Sequence, residues 1–203
     1  MMKSMDNTKA ALVTGANKGI GYAIAEGLGR LAYTVFVGAR DEVRRDDAVE
    51  KLRAADLDAV GVSLDVTSDA SVAAAASVIE EKAGRLDVLI NNAGISGRTE
   101  SGAQDPTTLD LGVLHTVLDT NVFGVVRVTN SMLPLLRRAA SPRIVNMSSN
   151  MGSLALQTGP VLAAYAPSKS MLNSITTQYA RAFSGPNIII NAACPGYVAT
   201  DFT

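Results

Sequence analysis

The chain has 203 residues, 47% hydrophobic and 18% charged, and a formal net charge of −1. A charge so close to zero gives no electrostatic reason to expect a nucleic acid or an anionic membrane as partner, since both call for a surplus of Lys and Arg. The apolar content excludes general disorder, the lone cysteine Cys194 excludes an intrachain disulfide framework, and with His115 as the one histidine a zinc site of Cys and His is disfavoured.

The chain opens on a polar stretch, MMKSMDNTK, followed by an apolar run, Ala10 to Val13, too short for a signal-peptide core. A first strand is predicted at Ala10–Thr14. The next segment places Ile20, Ala23, Ile24, Gly27, Leu28 and Leu31 on one face of a helix. Further strands are predicted at Thr34–Val37 and Ala59–Leu64. Thr67-Ser68-Asp69 is a capping cluster that opens an Ala-rich helix from Val72 to Lys82. A fourth strand is predicted at Val88–Ile90, and the Gly/Ser/Thr/Asp stretch from Gly94 to Thr108 reads as a loop. Val122, Val125, Val126, Thr129, Leu133 and Leu136 mark another helical face. Strands at Arg143–Met147 and Asn187–Ala192 complete the series. Strands apolar on both faces and alternating with helices predict a parallel sheet. The expected fold is one doubly wound α/β domain over residues 1–203, in three α/β/α layers. The later apolar runs, near Val122–Val126 and Ile188–Ile190, are short, so no membrane span is expected and the protein reads as cytoplasmic.

The first strand runs into Thr14-Gly15-Ala16-Asn17-Lys18-Gly19-Ile20-Gly21, directly before a helix. Glycines let backbone N–H groups approach an anion, and the helix N-terminus adds partial positive charge. A dinucleotide pyrophosphate suits such a loop; a tight ligand-free connection is the plain alternative. The spacing is G-x-x-x-G-x-G, not the commoner G-x-G-x-x-G. After the second strand come Gly38-Ala39-Arg40, where many NAD-binding folds place an acidic residue for the ribose. Arg40, with Lys18, suits a 2′-phosphate, which predicts NADP(H) over NAD(H). Asp41 is the dissenting residue, and the two cations read equally as solvated surface charges.

Tyr165 and Lys169 are spaced to share one helical face, and Pro167 restricts the helix start to about Ala163–Ala166. A nearby ammonium favours a phenolate and lowers the phenol pKa toward working pH, which suits proton exchange with a carbonyl or alcohol oxygen. Ser149 follows a predicted strand, at the end where open α/β sheets bind ligands, and can donate to a substrate oxygen. Its plainer reading is a turn serine. Asn91-Asn92-Ala93-Gly94 suits a tight bend near a ligand, or an ordinary turn. Asn121, near the start of an apolar-faced helix, needs partners if buried, and a water relay behind the site would supply them.

Taken jointly, the Gly15–Gly21 loop, Asn91–Gly94, Asn121, Ser149, Tyr165-x-x-x-Lys169 and Pro195-Gly196 stand in the order and approximate spacing of the short-chain dehydrogenase/reductase family, which the chain resembles over nearly all of residues 8–201. Within that family it most resembles NADPH-dependent carbonyl reductases. The resemblance implies a Rossmann-like fold and a catalytic tetrad of Asn121, Ser149, Tyr165 and Lys169. Tyr165 is the implied acid/base, and Lys169 lowers its pKa and holds the nicotinamide ribose. Ser149 orients the substrate oxygen, and Asn121 holds a relay water. It places the cofactor against Gly15, Asn17, Lys18, Gly19, Ile20, Gly21 and Arg40. Asp65 and Val66 are implied near the adenine, and Asn91, Ala93 and Gly94 beside the dinucleotide. Tyr165, Lys169, Pro195, Gly196 and Val198 complete the contacts, with Thr200 near the nicotinamide carboxamide.

Two features depart from the family pattern. Ser149 and Tyr165 stand 16 positions apart, slightly more than the usual interval, so the extra residues in Leu156–Leu162 bear on specificity, with Ser148 and Ser153 as alternative serines. The chain stops at Thr203, where family members continue into a further helix and strand, so the domain is expected to be C-terminally incomplete. The expected partner is a small-molecule carbonyl or alcohol substrate, in a pocket drawn from Ser96–Ser101, Leu154–Leu162 and Tyr197, whose mixed apolar and small polar residues fit many carbonyl compounds. No metal is expected. Related enzymes often pair through the helices holding Asn121 and Tyr165, which makes a homo-oligomer possible. The rival readings are an epimerase or lyase using bound NAD(P) with the same Tyr/Lys pair, and a non-catalytic NADPH-binding module. His115 reads as a packing or surface residue, Arg44-Arg45 and Arg137-Arg138 as solvated helix ends, and Cys194 as a buried apolar residue.

Overall fold

Short apolar segments that bury both faces form the centre of the protein. In the computed structural model, which describes residues 8–98, 104–157, 160–183 and 187–199, six strands make one parallel sheet in the order β3-β2-β1-β4-β5-β6. They are β1 (Ala10–Thr14), β2 (Thr34–Ala39), β3 (Ala59–Ser63), β4 (Val88–Asn91), β5 (Arg143–Met147) and β6 (Ile189–Ala193). In register, Val13 lies beside Val37 on one side and Ile90 on the other, and Asn91 beside Asn146. This is the doubly wound α/β arrangement, with the strand order reversing between β1 and β4, where such sheets open a crevice at their carboxyl ends.

Alternation along the strands divides the core in two. Ala11, Val13, Val35 and Val37 pack with Ala25, Ala48, Val49 and Leu52 of α1 (Gly19–Arg30) and α2 (Glu42–Ala54). Leu12, Phe36, Leu89 and Ile144 face the other way. They meet Val72 and Ile79 of α3 (Asp69–Ala83), and Val128 and Met132 of α5 (Gly124–Leu136). Ser68 caps α3 by accepting from the Ser71 N–H at 3.2 Å, as the Thr67-Ser68-Asp69 cluster predicts. α6 (Tyr165–Ala182) begins inside the predicted interval.

The structure corrects several expectations. β2 runs on to Ala39, and β6 is displaced to Ile189–Ala193. A helix, α4 (Leu111–Leu118), precedes Asn121, and a π-helical turn over Asp119–Phe123 joins it to α5, so Asn121 sits mid-helix. The continuous helix Leu111–Leu136 has 26 residues and mean hydropathy 1.2, long and apolar enough by length and composition to cross a membrane. Its apolar runs are individually short, interrupted by the polar residues Asp119, Asn121 and Arg127. In this fold its Val117, Val122, Val128 and Met132 are fully buried in the core. Arg45 is not a solvated residue: its side chain is only 11% exposed. It lies over Gly61, where a Cβ would meet its Nε at 3.0 Å, and it bonds to Asp46 and Glu42. Cys194, expected to be buried, is exposed.

A buried polar chain ties the helices to the sheet. Asn91 Nδ2 donates to Thr129 Oγ1 on α5 (3.1 Å) and to Asn146 Oδ1 on β5 (2.8 Å), and Asn146 Nδ2 donates to Thr176 Oγ1 on α6 (2.8 Å). Removing a buried partner leaves others desolvated and unpaired. Asn146→Ala is therefore expected to lower unfolding free energy by about 2–4 kcal/mol, read from urea denaturation; an unchanged midpoint would contradict this role.

Candidate active site

A cleft of about 1730 Å³ opens over the carboxyl ends of the strands. One end is built from the glycine loop. Gly15 and Gly19 adopt left-handed φ angles of 64° and 54°, open to glycine at little cost. A Cβ at Gly21 would run into the Gly15 carbonyl and the Asn92 amide. The first turn of α1 has no side-chain cap from Lys18 and no acidic residue, leaving a helix N-terminus facing the cleft suited to an anion. Asn17, Lys18, Ile20 and Arg40 line this end, together with Arg44. Asp41 caps α2 by accepting from the Arg44 N–H at 3.0 Å and pairs with the Arg44 side chain at 3.3 Å. Its carboxylate therefore already has a structural task, while Ala39 is buried and Arg40 exposed.

Asp65 and Val66 also reach the cleft. Burial pushes the Asp65 carboxyl up. The Thr67 hydroxyl and N–H, donating at 2.7 and 2.9 Å, together with the charges of Arg40 and Arg127, outweigh it and hold the group below the usual carboxylate range.

The other end holds the phenol. Tyr165 opens α6, with Lys169 one turn on. Ser149, at the exit of β5, is a polar neighbour of the Tyr165 phenol and favours its ionised form. Lys169 is 5% exposed, and its Nζ donates to the Met147 carbonyl at 2.7 Å and stands 5.5 Å from the centre of the Tyr165 ring. Burial lowers the Lys169 ammonium from 10.5 to about 8. Burial also pushes the Tyr165 phenol above its ordinary value, against the opposing influence of Ser149. The expected lowering of the phenol by Lys169 is thus not found in this structure, because desolvation dominates and the ammonium is bonded to a backbone carbonyl. Ser148 also touches the cleft, its hydroxyl donating to Asn173 at 2.6 Å, while the Ser149 hydroxyl donates to Asn150 Oδ1 and accepts from the Met151 N–H, both at 3.2 Å.

Asn121 is fully buried and stands behind the cleft wall, which Thr120 reaches instead. Its Oδ1 accepts from the Ile95 N–H (2.8 Å), and its Nδ2 donates to the Ile95 carbonyl (2.9 Å) and to Ser168 Oγ (3.0 Å). Protein groups therefore take up both amide hydrogens. Gly94 is the meeting point, for a Cβ there would lie 3.2 Å from Asn121 Oδ1 and 3.8 Å from Lys169 Nζ. Asn91 does not bring its side chain to the cleft; Asn92, Ala93 and Gly94 do the lining. Pro195, Gly196 and Val198 line it too, whereas Thr200 and Ser101 lie outside the described residues.

Sequence reasoning missed two groups. Thr14 and Asn92 staple the glycine loop to the end of β4. Thr14 Oγ1 accepts from the N–H groups of Asn92 and Ala93, and Asn92 Nδ2 donates to the carbonyls of Thr14 (2.9 Å) and Gly15 (3.2 Å). Polar residues ending two adjacent apolar strands were the available signal. The second, Gln104, sits in a stretch with no periodicity to mark it.

The family described as short chain dehydrogenase matches residues 9–203, and the chain belongs to it. A short-chain dehydrogenase of Penicillium roqueforti, anuI, is 35% identical over 94% of this chain and 79% of that protein. The 3-oxoacyl-acyl-carrier-protein reductase FabG of Pseudomonas aeruginosa is 35% identical over 96% of this chain and 76% of its own length. Among solved structures, an actinorhodin polyketide ketoreductase variant with NADPH superposes with a TM-score of 0.88 at 35% identity, covering 98% of this chain and 74% of that one. A gluconate 5-dehydrogenase from Burkholderia cenocepacia, in complex with NADP and tartrate, gives 0.85 at 26% identity, over 98% and 75%.

The buried ammonium has a consequence for stability. Its folded pKa lies below its ordinary value, so from about pH 8 up to 10.5 the unfolded chain holds a proton that the folded chain has released. Stability therefore rises with pH through that window, by up to about 3 kcal/mol. Urea midpoints measured from about pH 7 to pH 10 should climb in the native protein and stay flatter in Lys169→Met; parallel profiles would contradict the burial.

Proposed function

We propose that this chain is an NADPH-dependent reductase of a ketone or aldehyde, with Tyr165 as proton donor to the carbonyl oxygen. The observation that carries this is one cleft with an anion-receptive glycine loop at one end and, at the other, the Tyr165 phenol with Ser149 and a buried ammonium beside it.

The residues present fit a phosphorylated dinucleotide. Glycines without room for a Cβ leave the loop backbone open to a pyrophosphate at the start of α1. Lys18, Arg40 and Arg44 offer cations for a 2′-phosphate, and Asp41 is engaged in its cap. When bound, NADPH supplies a hydride to the carbonyl carbon. The chain's own groups handle the oxygen: Ser149 donates a hydrogen bond to it, and Tyr165 gives it a proton as negative charge develops. Lys169 keeps a positive charge near that proton donor. The high phenol pKa in this structure favours the protonated form, the form a reductase needs at neutral pH. The NADPH and NADP in the two structural relatives support the cofactor reading.

Tyr165→Phe is expected to lower kcat for NADPH consumption by about 10²–10⁴-fold while NADPH still binds; near-native turnover would contradict the assignment. Arg40→Ala should cut kcat/KM for NADPH by about 10-fold or more and leave that for NADH nearly unchanged. An equal loss with both cofactors would remove the 2′-phosphate role.

A further inference from the structure

The loop between β4 and α4 carries a buried carboxamide, Gln104, only 4% exposed. Its Oε1 accepts from the backbone N–H groups of Ala164 (2.9 Å) and Tyr165 (3.3 Å). Its Nε2 donates to the Ser96 carbonyl at 2.6 Å. Its backbone carbonyl accepts from the Ala163 N–H at 3.1 Å, beside a parallel bridge between Gln104 and Leu162. One residue thus joins the turn after β4, the segment entering α6 and the first residue of α6.

The need for such a tie follows from helix chemistry. The first N–H groups of a helix have no partner inside it. A neighbouring Ser, Thr, Asp or Asn usually supplies one, but α6 is preceded by Ala164, which has no side chain to do so. Gln104 supplies the acceptor from 61 positions away. Space for its amide comes from Gly97, which has a left-handed φ of 69° and where a Cβ would stand 3.0 Å from Gln104 Nε2. The residue whose N–H is held in this way is Tyr165 itself.

We propose that Gln104 is a positioning residue for Tyr165: by capping α6 from the β4–α4 loop, it sets where the phenol stands relative to Ser149 and the cleft. The proposal rests on the carbonyl-reductase reading for its kinetic consequence, but not for its structural one. Two substitutions separate the roles of the carboxamide. Gln104→Glu keeps an acceptor for the α6 N–H groups, favourable at a helix N-terminus, and loses the donor to Ser96. Gln104→Leu loses both.

Each variant is made with and without Tyr165→Phe, so that the difference in phenolate absorbance across a pH titration reports Tyr165 alone. In Gln104→Leu the Tyr165 midpoint is expected to fall toward the ordinary phenol value as the ring gains water. With NADPH and a panel of ketones, aldehydes and quinones, kcat falls on the order of 10- to 100-fold while NADPH affinity is unchanged. In Gln104→Glu the Tyr165 midpoint and kcat stay close to native. A native titration and kcat in Gln104→Leu overturns the proposal. So does a Gln104→Glu that loses kcat, NADPH affinity and thermal stability together, which marks a general packing role. Hydrogen exchange in the native protein needs no variant: protected Ala164 and Tyr165 amides support the cap, and exchange as fast as in a free chain overturns it. If the native protein consumes no NADPH with any carbonyl, the reductase reading fails, while the Tyr165 titration and the amide exchange still decide the role of Gln104.

Discussion

An ammonium group withdrawn from water needs a compensating partner, and in this protein Lys169 finds it in the Met147 carbonyl at the end of β5. That bond links α6 to the sheet at the point where the strand exits into the cleft. It places a cation beside the Tyr165 ring and the Ser149 hydroxyl next to the phenol. The cost of burial shows in the depressed ammonium pKa, a perturbation of the kind that clusters at functional sites. Everything around it serves to keep that geometry: Gly94 is small enough for Asn121 and Lys169 to approach, and Asn121 holds both the Ile95 backbone and Ser168. Ser168 in turn donates to the Tyr165 carbonyl at 2.7 Å, closing a path from the mid-helix amide back to the phenol's own backbone.

The opposite end of the cleft is organised by backbone rather than by charge. Thr14 and Asn92 make two hydrogen bonds to each other, and one more each to Ala93 and Gly15, across β1, the glycine loop and the turn after β4. The loop is thereby pre-shaped, so binding a pyrophosphate there would not require ordering it first. Because β1 and β4 flank the reversal of strand order, the same two turns that hold the loop also lead to the phenol end. An anion-receptive end and a phenol end in one cleft are what the proposed carbonyl reduction requires.

Much of this was legible in the sequence, and for identifiable reasons. The strands β1 and β5 coincide with their predicted bounds because apolar β-branched runs between polar residues have few other ways to be buried. Tyr165, Lys169 and the Gly15–Gly21 loop were legible because their chemistry depends on local spacing. What stayed hidden depends on tertiary contacts. α2 carries few apolar residues and buries Arg45 along with them, which no periodicity reveals. The bonds of Asn121 to Ile95 and Ser168, the Asn92–Thr14 staple and the reach of Gln104 to α6 each join residues far apart in the chain. The direction of the Tyr165 pKa was misread because the sequence shows the neighbouring cation but not the depth of burial, and burial is the larger effect.

The most direct measurement of the central claim is the stoichiometry of the reaction. NADPH and a carbonyl compound that the protein accepts are incubated with it, and oxidised cofactor and alcohol product are quantified together. The account predicts that the two accumulate in equimolar amounts. Conversion of the substrate to an isomer or cleavage product with the NADPH recovered unspent would contradict it.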